Sequence, residues 1–126
     1  MFGNLFGNSK SSALPEGWVE LTSVEQAKEA IANSTEHPVL FFKHSTRCPI
    51  STMAYRRLET DAPELTSNVN LKYLDLIAYR DVSDWLANTL NVTHQSPQVI
   101  LVQNKEVVHI ATHSEINGAE IIEVIA

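Results

Sequence analysis

Val39-Leu40-Phe41-Phe42-Lys43-His44-Ser45-Thr46-Arg47-Cys48-Pro49-Ile50-Ser51 is the stretch on which the fold turns. Its first four residues form an unbroken apolar run just after Pro38, the pattern of a strand buried on both faces between helix layers. Pro49 stands where a first helical residue tolerates proline. Ile50, Met53, Ala54 and Leu58 then mark one face of a helix. That helix is expected to end before Pro63, because the residue ahead of a proline disfavours the helical basin. Strand, turn and helix thus place Cys48 at a helix N-terminus.

Working outward, Thr22-x-x-Glu25 and Ser23-x-x-Gln26 are overlapping capping-box patterns. With Val24, Ala27 and Ile31 at helical spacing they predict a first helix over 24–33. Val69, Leu71 and Tyr73 alternate with polar residues, as in a half-buried strand. Asp81 precedes a helical stripe of Val82, Trp85, Leu86 and Leu90, with Asp84 in the first turn, where the helix dipole favours negative charge. Ser96-Pro97 leads into a second buried strand, 99–102, and Asn104-Lys105 is a two-residue turn into a strand over 107–111. Asn117-Gly118-Ala119-Glu120 caps a last helix. The expected order is helix, strand, helix, strand, helix, strand, strand, helix. This is an α/β domain whose early strands run parallel with right-handed crossovers.

The chain has 126 residues, 44% of them hydrophobic, a formal net charge of −6 and a single cysteine. A chain of this length is one domain at roughly 100–200 residues per domain, expected to span 14–126 behind a flexible tail over 1–13. The acidic balance argues against a nucleic-acid partner, which needs clustered Lys and Arg to release counterions. No stretch approaches the ~18 apolar residues of a membrane span, so no membrane partner is expected. The N-terminus lacks the charged and apolar regions of a secretory signal. The expected location is cytoplasmic, where thiols are kept reduced.

One cysteine forms no disulfide within the chain and no two-cysteine metal site. At a helix N-terminus, unpaired backbone amides and the positive end of the dipole favour a thiolate, and Arg47 adds a neighbouring cation. A thiolate stabilised in this way also departs more readily from a mixed disulfide. In the C-x-x-C of dithiol redox proteins the fourth residue supplies the resolving thiol. Ser51 stands there instead; a hydroxyl can hydrogen-bond a thiolate but cannot displace a disulfide. The resolving sulfur must therefore come from another molecule. Ser96-Pro97, if cis and packed against the redox helix, would leave the Ser96 backbone free to pair with an extended substrate segment.

No metal site is expected from the five histidines. His109 and His113 on an extended strand would lie ~13 Å apart at roughly 3.3 Å per residue, and His37 and His94 read as exposed loop residues. His44, at the end of the buried strand, has two readings: a partner of the Cys48 thiolate, or a capped strand end. A phosphatase-type C-x5-R loop is absent, since Ala54 stands six residues after Cys48. The peroxiredoxin pattern fails because Phe41 and Ser45 occupy its proline and threonine positions.

HSTRCPIS, the Ser-Pro before a late buried strand and the element order together resemble the bacillithiol-system redox-active family, the YtxJ-like monothiol bacilliredoxins. The similarity spans about residues 14–126. The family motif is usually TCPIS; here Arg47 precedes an intact CPIS. The resemblance implies a thioredoxin-like fold with a central mixed β-sheet flanked by helices. It further implies a monothiol thiol–disulfide oxidoreductase that removes bacillithiol, or a similar low-molecular-weight thiol, from protein mixed disulfides. Cys48 would be the catalytic residue. Thr46, Arg47, Pro49, Ile50 and Ser51 would form the thiolate-stabilising loop, and Ser96 and Pro97 the substrate platform. The implied partners are S-thiolated cytosolic proteins, the small thiol as co-substrate and its reductase, with no bound cofactor. The alternative is a thioredoxin-like binding or redox-sensing module without turnover. A Cys–His hydrolase with His44 as base is a third reading, without a third orienting group assignable from sequence.

Overall fold

The computed structural model describes residues 14–125; the tail expected over 1–13 lies outside them. The chain forms β1 (Trp18–Glu20), α1 (Val24–Ala32), β2 (Val39–His44), α2 (Pro49–Thr60), α3 (Ala62–Asn68), β3 (Asn70–Asp75), α4 (Arg80–Leu90), β4 (Gln98–Gln103), β5 (Glu106–Thr112) and α5 (Gly118–Ile125). Short 3-10 turns at Asn33–Thr35 and His113–Glu115 follow α1 and β5.

The strands form one mixed sheet in the order β1-β3-β2-β4-β5. β1 and β2 flank β3 in parallel, while β4 runs antiparallel to β2 and β5 antiparallel to β4. Every residue of β2 is buried, as its continuous apolar run requires of a strand between two helix layers. Alternate side chains serve opposite cores. Leu40 and Phe42 pack with Ala54 and Leu58 of α2 and with α3 and α5. Val39 and Phe41 pack with Ala27 and Ala30 of α1 and with Val82 and Leu86 of α4. Burying one such large apolar side chain stabilises by about 1.5–3 kcal/mol, so β2 is anchored from both sides.

Two elements depart from the expected order. β1 is only three residues long, too short to show a period, and it exists because Trp18–Glu20 finds an open edge of β3. Gly17, at φ +90°, turns the chain into it, in a conformation that L side chains rarely adopt. The helix ahead of Pro63 does end at Thr60, but a further helix begins at once, with Pro63 in its first turn. There the missing N–H costs nothing, so the proline starts a helix where a break alone was expected. α4 also begins at Arg80, which brings Asp81 inside its first turn.

The local signals act as their chemistry predicts. Ser23 caps α1 by accepting from Gln26 N–H at 3.2 Å, and Gln26 Oε1 in return accepts from Thr22 N–H at 2.9 Å. Asn104 and Lys105 both take positive φ, 54° and 66°, in the tight turn between β4 and β5. Asn117 Oδ1 accepts from Glu120 N–H at 3.2 Å at the head of α5.

Candidate functional site

β2 ends at His44, and a turn closed by Cys48 N–H donating to Ser45 C=O at 3.2 Å delivers Cys48 to the head of α2. Cys48 is the N-cap residue, in extended conformation, with Pro49 at the first helical positions. The first bond of the helix is Thr52 N–H to Cys48 C=O at 3.0 Å. The N–H groups of Ile50 and Ser51 therefore belong to the unpaired set at a helix start, where an N-cap side chain can accept from them. The thiol makes no capping hydrogen bond and is partly exposed. Thr46, Arg47 and Pro49 are exposed around it.

Ser51 is turned away from solvent and fully buried. Its Oγ accepts from Ser45 N–H at 3.0 Å and lies 2.7 Å from Nδ1 of His44. This bond braces the cysteine turn against the strand end. Two proton arrangements fit it. Either the Ser51 hydroxyl donates to Nδ1, or Nδ1–H donates to Oγ.

His44 is buried and ringed by Phe42, Tyr55 and Tyr73, with ring centroids 5.7, 5.2 and 5.7 Å away. Burial lowers its pKa, against the opposing pull of Asp75 and a hydrogen bond to the Ser51 backbone, so the ring is neutral at pH 7. Of its two readings, the geometry favours the braced strand end. Tyr73 in the same cluster is pushed up to about 12, chiefly by burial, and does not ionise at neutral pH.

The Ser96–Pro97 peptide bond is cis. Lys43 pairs with Gln98 at the start of β4, so Ser96 and Pro97, just ahead of Gln98, lie at the end of the sheet where β2 finishes at His44. The strand end that leads to Cys48 and the Ser96–Pro97 segment are thus neighbours. Pro97 C=O accepts from His113 N–H at 3.1 Å. His113 in turn shares an apolar groove of about 320 Å³ with Ile50, Met53, Arg57 and Ser114. Ile50 and Met53 are 52% and 59% exposed. Arg57 holds this edge in place, donating to the carbonyls of Ile116 and His113 at 3.0 and 2.7 Å.

The remaining histidines are dispersed. His37 is exposed. His109 sits on β5, its Nε2 4.0 Å from Glu120. His94 is exposed overall, as expected, yet its Nδ1 lies 3.2 Å from Nζ of Lys43. Lys43, fully buried, is the residue that sequence reasoning passed over. No local signal marks it, because a lysine directly after four apolar residues reads as a strand end reaching solvent.

The chain resembles solved structures along most of its length. A candidate oxidoreductase with a thioredoxin fold is 31% identical, with 87% of this chain and 95% of that one covered and a TM-score of 0.76. Mitochondrial thioredoxin 3 of Saccharomyces cerevisiae, in its oxidized form, is 15% identical over 83% of this chain and 90% of that one, at a TM-score of 0.62. Fasciola hepatica thioredoxin is 15% identical over 85% and 95%, at 0.64. The two thioredoxins share the fold. The sequence profile of the monothiol bacilliredoxin BrxC matches residues 19–121. A single cysteine at the head of α2 in a thioredoxin-fold sheet, with serine in place of a second thiol, agrees with that match: the chain belongs to the monothiol bacilliredoxin family, thiol oxidoreductases of thioredoxin fold.

Proposed function

We propose that the protein removes bacillithiol, or a similar low-molecular-weight thiol, from mixed disulfides on cytosolic proteins, with Cys48 as the nucleophile. The Cys48 thiolate attacks the small-thiol sulfur of the mixed disulfide. A new disulfide forms between Cys48 and the small thiol, the old S–S bond breaks, and the target protein leaves as its thiolate. A second small-thiol thiolate then attacks the small-thiol sulfur on Cys48. This releases the oxidised small-thiol dimer, which a reductase returns to the thiol, and restores Cys48. Each step exchanges one S–S bond for another, with no net change in electrons.

The observation that carries this reading is a helix-capping cysteine whose place for a resolving thiol is taken by a buried serine hydrogen-bonded to His44 and Ser45. Unpaired amides at Ile50 and Ser51 are suited to hold the thiolate in both the attacking and the leaving role. The exposed Arg47 offers a cation to an acidic adduct. Ser96 and Pro97, beside the strand end, would receive the target's backbone.

The test is intact mass after mixing reduced protein with a bacillithiolated model substrate. The expected result is a Cys48 adduct, reduced substrate, and loss of the adduct on adding free bacillithiol. A substrate that stays modified with no Cys48 adduct overturns the proposal. An adduct that free bacillithiol does not remove points instead to a redox-sensing module without turnover.

A further inference from the structure

The loop over residues 93–97, between α4 and β4, carries Ser96 and Pro97 and is held from below by two buried side chains of the sheet. Gln98, 1% exposed, donates from Nε2 to Thr93 C=O at 3.0 Å. Its ladder partner Lys43, 0% exposed, reaches His94 Nδ1 at 3.2 Å. Ser83 Oγ of α4 approaches the same nitrogen at 3.4 Å. Among the described residues, no carboxylate lies within ion-pair distance of the Lys43 ammonium. A buried ammonium with a single imidazole acceptor is costly, and an apolar side chain of similar volume would serve packing better. Packing alone therefore leaves this lysine unexplained.

We propose that Lys43 is a positioning residue for the thiol-exchange site: its ammonium donates to Nδ1 of neutral His94 and latches the 93–97 loop, and protonation of His94 removes that acceptor and frees the loop. The proposal rests on the reading of Ser96 and Pro97 as the substrate platform. Donation from Lys43 fixes the His94 proton on Nε2. When His94 takes a second proton, two cations face each other at hydrogen-bond distance and repel. The charged groups around the pair are Arg80 and Asp84, both on α4. Burial, Lys43 and Arg80 keep His94 below the usual histidine range, while Asp84 opposes them. The latch therefore opens only in acid, below the ordinary histidine midpoint near 6.5.

The test combines exchange activity with the backbone order of the loop by 15N relaxation, using the full chain. Lys43→Met keeps the side-chain volume and should fold as well as the parent by urea unfolding. Its exchange with a bacillithiolated substrate should be slower by up to about a hundredfold, the scale on which misplaced binding groups act, with order parameters over 93–96 falling well below the roughly 0.85 of rigid backbone. In the parent, order there should fall between pH 7.5 and 5. His94→Gln keeps an acceptor that cannot be protonated, so its loop order should not change over that range. A folded Lys43→Met protein with parental exchange and loop order overturns the proposal, as does a His94→Gln loop that loosens in acid like the parent's. If the parent itself exchanges no small thiol, the proposed function fails, while the relaxation data still decide whether the latch exists.

Discussion

Lys43 and His44 are consecutive, both polar and both buried, yet the sheet sends them to opposite sides with opposite outcomes. His44 joins the aromatic cluster of Phe42, Tyr55 and Tyr73 against α2, and one neutral hydrogen bond to Ser51 satisfies its inner nitrogen. Lys43 faces α4, where burial pulls its pKa down to about 8 although Asp84 works the other way. A neutral ring that packs and hydrogen-bonds contributes to stability. A buried ammonium detracts from it and is retained for what it holds. The same depth in one strand therefore braces the cysteine turn on one side and tethers the neighbouring loop at a cost on the other.

Removing the brace should have the largest effect. His44→Ala deletes a ring from a packed cluster and leaves the Ser51 hydroxyl without its partner, so about 3 kcal/mol of stability should be lost, read as a lower urea midpoint. A loss below about 1 kcal/mol would mean that the cluster relaxes around the gap and that His44 is not what sets the turn.

Next in size is the pH response of Lys43. The folded-state pKa of about 8 lies below the ordinary lysine value of 10.5, so between these values the unfolded chain binds more protons. Stability contributed by this group is absent below pH 8 and rises as the pH is raised toward 10.5. Compared with Lys43→Met, the parent should gain about 2 kcal/mol between pH 7.5 and 10. Parallel stability curves for the two proteins would show that the ammonium is solvated in the folded state, and the contrast with His44 would fail.

The smallest change tests the brace alone. Ser51→Ala leaves the Ser45 N–H and His44 Nδ1 unpaired and should cost about 1–2 kcal/mol. Because His44 is held neutral, its stability contribution is present above the unfolded midpoint near 6.5 and is lost as pH falls toward the folded value. The hydrogen bond that opposes this shift is to the Ser51 backbone, which alanine keeps, so the Ser51→Ala curve of midpoint against pH from 7 to 5 should run parallel to the parent's, offset downward by the lost side-chain bond.

Most of the frame was legible in the residues. Val39 to Phe42 specify a doubly buried strand, Pro49 a helix start, and Asn104-Lys105 a hairpin, because each signal is local and steric. β1 was not legible, since three residues carry no period and the strand exists only through pairing with β3. α3 was hidden because proline blocks a helix interior yet opens a helix equally well. At the site, Cys48, Ser51 and Ser96-Pro97 stood out by type and spacing. Lys43 did not, as a lysine after an apolar run reads as a strand end reaching solvent.

By itself the sequence determined that a thiol stands at the head of a helix with no second cysteine in the chain, which commits any disulfide exchange to an outside partner. Only the tertiary structure decided what the two polar residues ending β2 do. Their partners lie 7 and 51 positions away, and the two-residue period of a strand points neighbours in opposite directions. Which of them meets a neutral hydroxyl and which must share a buried charge depends on the helix and loop that close over each face.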